Sequence, residues 1–440
     1  MPVTSAPALA VSSSPARSGD RYLVGLSGLL LAYALLGRGA AYLGVPPVYV
    51  GELAMGIGLL VAGARLGLAT RTPLVQLLVV FMLWGAACTV PYVSTYGVAA
   101  LRDAALWGYG CFAIIVAALL LEDPERLRDL VLRYRRFVVV FGALAWLVLA
   151  IKGQGLALPR VPGTTIAIVE VKSGDTLVHV AGAAAFLLVG LGRPRAVLVA
   201  LLAVTPLLAN RAGMLSCAVG VLIAAALTPF AGKPIRMVYL GLVVLVALAL
   251  VQPTLTLGGR VVSGDVVLDK VQSIVAPEET GRLNNTREWR LEWWSKIVGY
   301  TVGGPYFWTG KGYGVNLSVD DGFASAAGEA LRSPHNSHMT VLARSGVPGF
   351  ALWVALHLGW LVSMLVHYAR SRRAGDRTWT ALFVFLVAYW TALMVNASFD
   401  VVLESPMGAI WMWTLFGTGV AAMVTYDQRP EVLSADGDGR

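Results

Sequence analysis

Twelve apolar runs follow one another along this chain, each near the length a helix needs to cross a bilayer. They fall near residues 22–44, 48–66, 73–93, 98–121, 131–152, 176–192, 195–210, 211–230, 236–253, 347–370, 377–397 and 404–426. A backbone in hydrocarbon must satisfy its own N–H and C=O groups, so runs of this length and character can only be helices. The predicted fold class is therefore an all-α polytopic membrane protein with about twelve transmembrane helices. Charged residues make up 13% of the chain, about half the share of a soluble domain.

The basic residues give the orientation. With a cytoplasmic N-terminus, the inner connections hold Arg65 and Arg71, then Arg126, Arg128, Arg133, Arg135 and Arg136. They also hold Arg193, Arg195, Lys233 and Arg236, and finally Arg370, Arg372, Arg373 and Arg377. The short outer connections hold only Arg38, Arg102, Lys152, Arg160, Lys172 and Arg211. Cytoplasmic loops of membrane proteins carry the excess of Lys and Arg, so both termini read as cytoplasmic. The net charge of +9 is spread in short clusters between apolar runs, which suits anionic lipid head groups rather than nucleic acid. Cys88, Cys111 and Cys217 lie inside apolar runs with no metal-ligand spacing and read as small core residues.

The chain divides accordingly. Residues 1–21 read as a disordered cytoplasmic tail; a polar stretch precedes the first apolar run, unlike a signal peptide. Helices 1–9 occupy 22–253, and a long extracytoplasmic loop between helices 9 and 10 occupies 254–346. Helices 10–12 occupy 347–426, and 427–440 form a second cytoplasmic tail. The halves show no internal repeat, which counts against a secondary transporter.

The 254–346 segment is the one long polar stretch, with nine Lys/Arg against nine Asp/Glu. A helix is expected over about 286–301, opened by Asn285 with Glu288 at capping-box spacing. Trp289, Trp293, Ile297 and Tyr300 share one face, which suits head-group depth; Arg287, Arg290 and Trp294 share another. Ser333 is placed as the cap of a second helix, with Pro334 at its first position and His335 and Asn336 in its first turn. That helix stops at Gly346, and the next span starts at once. Gly310-Lys311-Gly312-Tyr313-Gly314 lacks Walker spacing and reads as turn chemistry.

Several side chains carry two readings each. His335 is either a capping histidine or a general base, since a helix N-terminus and nearby Arg332 disfavour the imidazolium. His338 is one turn on, but its loop carboxylates Asp320, Asp321 and Glu329 make a poor metal set. Arg211 is either a snorkelling residue or a functional one at the outer end of a span. Arg287 and Arg290 are either surface charges paired with Glu288 and Glu292 or a diphosphate clamp.

His335-Asn336, followed after nine residues by Gly346 and then Gly349, resembles a motif of the bacterial O-antigen ligases and related polysaccharide polymerases. Leu207-Leu208-Ala209-Asn210-Arg211-Ala212-Gly213 is similar to the family's arginine at the outer end of a span. There Asn210 stands where Ser is usual. Arg290-Leu291-Glu292-Trp293-Trp294 looks like the family's second arginine, and Asn396-Ala397-Ser398-Phe399-Asp400 fits its last pattern. The resemblance implies a membrane glycan transferase of the C-type superfamily in the bacterial cytoplasmic (inner) membrane. It would move a glycan from an undecaprenyl diphosphate donor to an acceptor hydroxyl, on lipid A core or a growing polysaccharide, on the outer face. The alternatives are a polysaccharide polymerase or a protein O-oligosaccharyltransferase of the same superfamily, and, from another class, a polysaccharide or lipid transporter. The implied catalytic residue is His335. Arg211 and Arg290, with Arg287, would hold the diphosphate, supported by Asn336, His338 and Trp294. The expected partners are donor, acceptor and membrane lipids, without metal, nucleotide or other cofactor.

The topology is testable by labelling. Single cysteines within 260–330 should react with a membrane-impermeant thiol reagent in whole cells once any outer membrane is permeabilised. Cysteines at 126–136 or 370–377 should stay unlabelled; the reverse pattern would invert the orientation.

Overall fold

The computed structural model describes residues 18–153, 158–192, 210–228, 282–324 and 332–434, with short pieces at 197–198, 201, 255–257 and 260–262. The helices of seven residues or more are numbered here in chain order. They are α1 (Ser18–Leu36), α2 (Val50–Ala62), α3 (Pro73–Ala87), α4 (Val90–Tyr96), α5 (Val98–Gly108), α6 (Gly110–Glu122) and α7 (Glu125–Gly153). After them come α8 (Ser173–Leu188), α9 (Arg211–Leu227), α10 (Arg282–Val302), α11 (Ser337–Arg373), α12 (Arg377–Ala397) and α13 (Pro406–Gln428). Two small antiparallel pairs, Gly44–Val45 with Val48–Tyr49 and Leu255–Leu257 with Arg260–Val262, are the only strands among the described residues.

Among the described residues five helical stretches are long and apolar enough to cross a membrane, α2 counting as one when it is followed through to Ala69, or up to seven if each of two bent pairs is one span. The pairs α3–α4 and α5–α6 each turn by 41°. Ten of the twelve expected spans fall on described helices. The span at 236–253, and most of that at 195–210, lie outside the described residues, so the count of twelve is not reached among them. Helices α8 and α9, at 16 and 17 residues, are shorter than a standard crossing.

Helix α13 is the axis, with 94% of its apolar window enclosed by protein. It meets α6 where Gly417 lies on the backbone of Ala113, a position where any Cβ would overlap that backbone. Such small-residue contacts let helices approach closely where apolar burial alone gives no preference over lipid. Around it α8, α9 and α12 form a tight trio and α11 packs on α3 and α12. Trp353, Trp360 and Trp413 fill the space between α11 and α13.

The polar residues sort to the two ends of this bundle. At one end Arg126, which is buried, binds Asp20, Glu122 and the carbonyl of Leu119. Arg135 binds the carbonyl of Leu191, and Arg370 pairs with Asp427. Ser18–Arg21, placed in a tail by the sequence, therefore open α1. Likewise Val432 and Leu433, placed in the second tail, are buried. At the opposite end lie Arg38 with Glu170, Lys172, Arg211, Asp103 and the polar segment.

Helix α10 starts four residues before the expected 286, so Asn285 lies inside it rather than ahead of its first turn. Its tryptophan face meets protein rather than lipid head groups. Trp293 and Ile297 are fully buried against Leu317, Leu342 and Ala343, and Phe323 stacks on Trp293. The turn at 310–314 carries three glycines with positive φ. Lys311 pairs there with Asp320 and Asp321. Burial alone would lower the Lys311 ammonium, but those two carboxylates raise it above its ordinary value.

Helix α11 breaks at Gly346 (φ 64°, ψ −171°), with Pro348 two residues on. Val347 N–H donates to Phe307 O (2.7 Å), Lys311 N–H to Ala343 O (2.7 Å), and Trp84 Nε1–H to Ser345 O (2.9 Å). The groups freed by the break are thus met from the polar segment and from α3, as buried backbone groups require.

Gly346→Ala should destabilise the protein by about 1–3 kcal/mol or more, since a side chain there needs a strained backbone and overlaps the carbonyls of Phe307 and Trp308. Gly299→Ala, in open space on α10, should instead stabilise by about 0.5–1 kcal/mol. Thermal unfolding in detergent, read side by side, checks both signs.

Candidate functional site

The site is built where helix ends meet. The first turn of α8, the first turn of α9 and the last turn of α12 converge at one end of the bundle. Gly213 of α9 rests against Gly174 of α8, and Gly174 in turn faces Asn210 and Asn396. A side chain at either glycine would push the helices apart. Asn210 caps α9, its Oδ1 accepting from Gly213 N–H at 2.8 Å, which brings Arg211 to the first position of that helix. Helix N-termini carry partial positive charge, so two of them lie side by side here.

Asp400, in the short connection after α12, is the carboxylate around which the rest is placed. Lys172 Nζ stands 3.2 Å from each of its oxygens. Val401 N–H donates to Oδ1 at 2.8 Å, and His335 Nδ1 stands 3.7 Å from the same atom. Burial alone would raise this carboxyl, but His335, Lys172 and the Val401 N–H outweigh it and hold Asp400 well below the usual carboxylate range.

Arg290 enters from α10. Its Nη1 donates to Phe399 O at 3.3 Å, beside Asp400, while its buried Nε has no hydrogen-bond partner among the described residues. Burial pushes the guanidinium below its ordinary value, and the charge of Asp400 only partly restores it. An unmet buried donor on a charged group costs about 1–3 kcal/mol.

His335 does not lie in the first turn of a helix, as the sequence suggested. Asn336 is the cap of α11, its Oδ1 accepting from His338 and Met339 N–H at 3.0 and 3.1 Å. His335 precedes it with φ 51°, the only non-glycine residue with positive φ among those described. Ser333, the expected cap, turns to Glu404 instead. Asn caps as well as Ser, and the left-handed residue between them keeps a helix from starting sooner. Arg332 also faces elsewhere: it pairs with Asp103 and bonds Gly314 O. The groups expected to hold the imidazole neutral are thus replaced by a carboxylate. His335 is 32% exposed, open to solvent.

The supporting residues fall into place around it. Trp294 Nε1–H donates to Pro334 O at 2.9 Å, fixing the carbonyl next to His335. His338 has both nitrogens engaged: Nδ1 accepts from Trp353 Nε1–H at 3.1 Å and Nε2 faces Met394 O at 3.2 Å. That pattern requires the neutral Nε2–H tautomer and leaves no lone pair for a metal. No group of three His, Cys, Asp or Glu able to hold a metal occurs among the described residues. The Arg287 side chain lies outside the described residues.

So the structure brings His335, Arg290 and the start of α9 with Arg211 to one end, with Asn336, His338 and Trp294 bracing them. The sequence reading missed Lys172 and did not single out Asp400, though its position was within a noticed pattern. The signal for Lys172 was a basic residue on the base-poor outer side, placed just before a helix.

Asp400→Asn should destabilise the protein by leaving Lys172 and His335 without their carboxylate. Because the folded value of Asp400 is depressed, its contribution is complete above about pH 4 and is lost as the pH falls below that. Melting temperatures of wild type and Asp400→Asn should therefore differ by a constant amount from about pH 5 to 8. The gap should close on further acidification.

Residues 196–354 match the family model described as O-antigen ligase. No curated protein matches the chain. The matched stretch contains Arg211, Arg290 and His335, while Lys172 and Asp400 lie beyond it. Within a helical bundle of membrane-spanning character, the stretch 196–354, which holds three of the residues gathered at this end, is thus similar to the O-antigen ligase family.

Proposed function

We propose that the protein is a membrane glycan transferase of the O-antigen ligase type, moving a glycan from undecaprenyl diphosphate to an acceptor hydroxyl outside the cytoplasmic membrane. The observation that carries this is Arg290, whose Nε–H is buried and unmet among the described residues and whose guanidinium lies beside Phe399 O and Asp400, the carboxylate that also holds Lys172 and His335. Cationic donors held ready in a partly dry site stabilise an anion that develops charge as its bond breaks.

In this scheme the acceptor oxygen attacks the anomeric carbon of the donor sugar and His335 takes the hydroxyl proton. The bond from that carbon to the diphosphate oxygen breaks, and its electron pair leaves with undecaprenyl diphosphate. Arg290 and Arg211 bind that leaving group, Arg290 through the fork that matches phosphate geometry. Asp400 holds the imidazole in place and stabilises the imidazolium that forms. The acceptor is lipid A core or a growing polysaccharide. A transporter would place its charges near mid-membrane at broken helices; here the break at Gly346 is filled by backbone and indole partners, and the charges stand at the end of the bundle.

His335→Ala should lose transfer by at least about a hundredfold, the usual contribution of a general base, while still binding undecaprenyl diphosphate. Arg290→Ala and Arg211→Ala should lose both, with Lys restoring only part. The assay uses purified protein, lipid-linked donor and acceptor glycan with EDTA present. A fully active His335→Ala protein would reduce this residue to a loop histidine, and loss of activity in EDTA would require a metal.

A further inference from the structure

Lys172 is a second cation at this site with a different character from the arginines. It is 45% exposed on a flexible four-carbon stem, and its Nζ bridges both oxygens of Asp400 at 3.2 Å. By contrast Lys311, at 9% exposure, is pinned between Asp320 and Asp321, and Arg38 is engaged by Glu170. Lys172 is also the residue just before α8, whose first-turn N–H groups open toward the same place as those of α9.

Asp400 does not depend on Lys172 alone. Val401 N–H and His335 remain on Oδ1 if the lysine leaves. The other acid nearby, Asp175 in the first turn of α8, is partly buried and takes its hydrogen bond from Asn396 Nδ2 at 3.4 Å. Neither carboxylate would therefore be orphaned by a movement of the ammonium of a few ångströms. Arg290, facing the same aspartate, has a donor that no group among the described residues meets.

We propose that Lys172 is a ligand of the donor diphosphate, parked on Asp400 until the anion arrives. Its ammonium then transfers from the carboxylate to a phosphate oxygen, and Asp400 is left to His335. Binding of donor and orientation of the base are thereby coupled through one aspartate. This rests on the reading of the site as a diphosphate site, and it adds a residue outside the stretch that matches the family.

The test is binding of undecaprenyl diphosphate to the purified full chain in nanodiscs, with undecaprenyl monophosphate and inorganic diphosphate as the comparison probes. Lys172→Ala should weaken undecaprenyl diphosphate about ten- to a hundredfold, the range of a hydrogen bond to a charged group. Lys172→Arg should restore most of it. The loss should be larger for undecaprenyl diphosphate than for the monophosphate, and in turnover it should raise the donor KM with the acceptor KM unchanged. Inorganic diphosphate should lose affinity in parallel, which separates the head group from the polyprenyl chain. If Lys172 only braces Asp400, Lys172→Ala will lower kcat and change the pH profile with donor affinity intact, and the proposal falls. Should the alanine variant fold poorly, Lys172→Gln with a matching melting temperature supplies the same comparison. Arg290→Ala serves as the control. Weakening there but not at position 172 overturns only the role of Lys172, whereas no effect at either position overturns the diphosphate site itself.

Discussion

One carboxylate, set among helix ends where few compensating groups exist, organises this end of the molecule. Burial disfavours its charge, and Asp400 stays ionised because a lysine, a histidine and a backbone N–H are brought to it. Each comes from a different part of the chain. Satisfying that carboxylate therefore fixes the start of α8 against the connection after α12 and holds the residue that precedes α11 beside both. The backbone of the site is tied in as well: Ser337 Oγ–H donates to Asp400 O at 3.2 Å. Membrane-embedded helices gain little from apolar burial against one another, so a polar knot of this kind does much of the work of registering them.

The helix break at Gly346 is the second element of that arrangement. A continuous helix from Ser337 would satisfy its own backbone. The break instead hands groups to Phe307, Lys311 and Trp84, and so attaches the polar segment to the bundle. Helix α10 is anchored by the same device, with Trp293 and Ile297 buried beside the break and Arg290 and Trp294 turned to the site. The polar segment over these residues is thus packed on its own small core.

Much of this was legible in the sequence because the determinants are local. Apolar runs mark helices, Gly346 with Pro348 marks the break, and the spacing of Arg290 and Trp294 puts both on one face. The failures are equally instructive. Asn336 rather than Ser333 caps α11, since two good caps three residues apart are decided by the backbone of His335, which no propensity announces. The surroundings of His335 were misjudged for a related reason. Its sequence neighbour Arg332 goes to Asp103, 229 residues away. Asp400, distant in sequence, takes its place. Lys172 and Asp400 are 228 residues apart, and pairing over such a separation leaves no periodic trace in a single chain.

The unmet Nε–H of Arg290 has a thermodynamic consequence. An anion that satisfies it binds the folded chain and has no equivalent place on the unfolded one, so occupancy and folding are linked functions. At a hundredfold excess over its dissociation constant such a ligand adds about 2.7 kcal/mol to stability, a sizeable part of what holds a typical domain folded. On the proposed reading the empty protein is the more fragile form, and its survival in a membrane under quality control would gauge how much anionic ligand that membrane supplies.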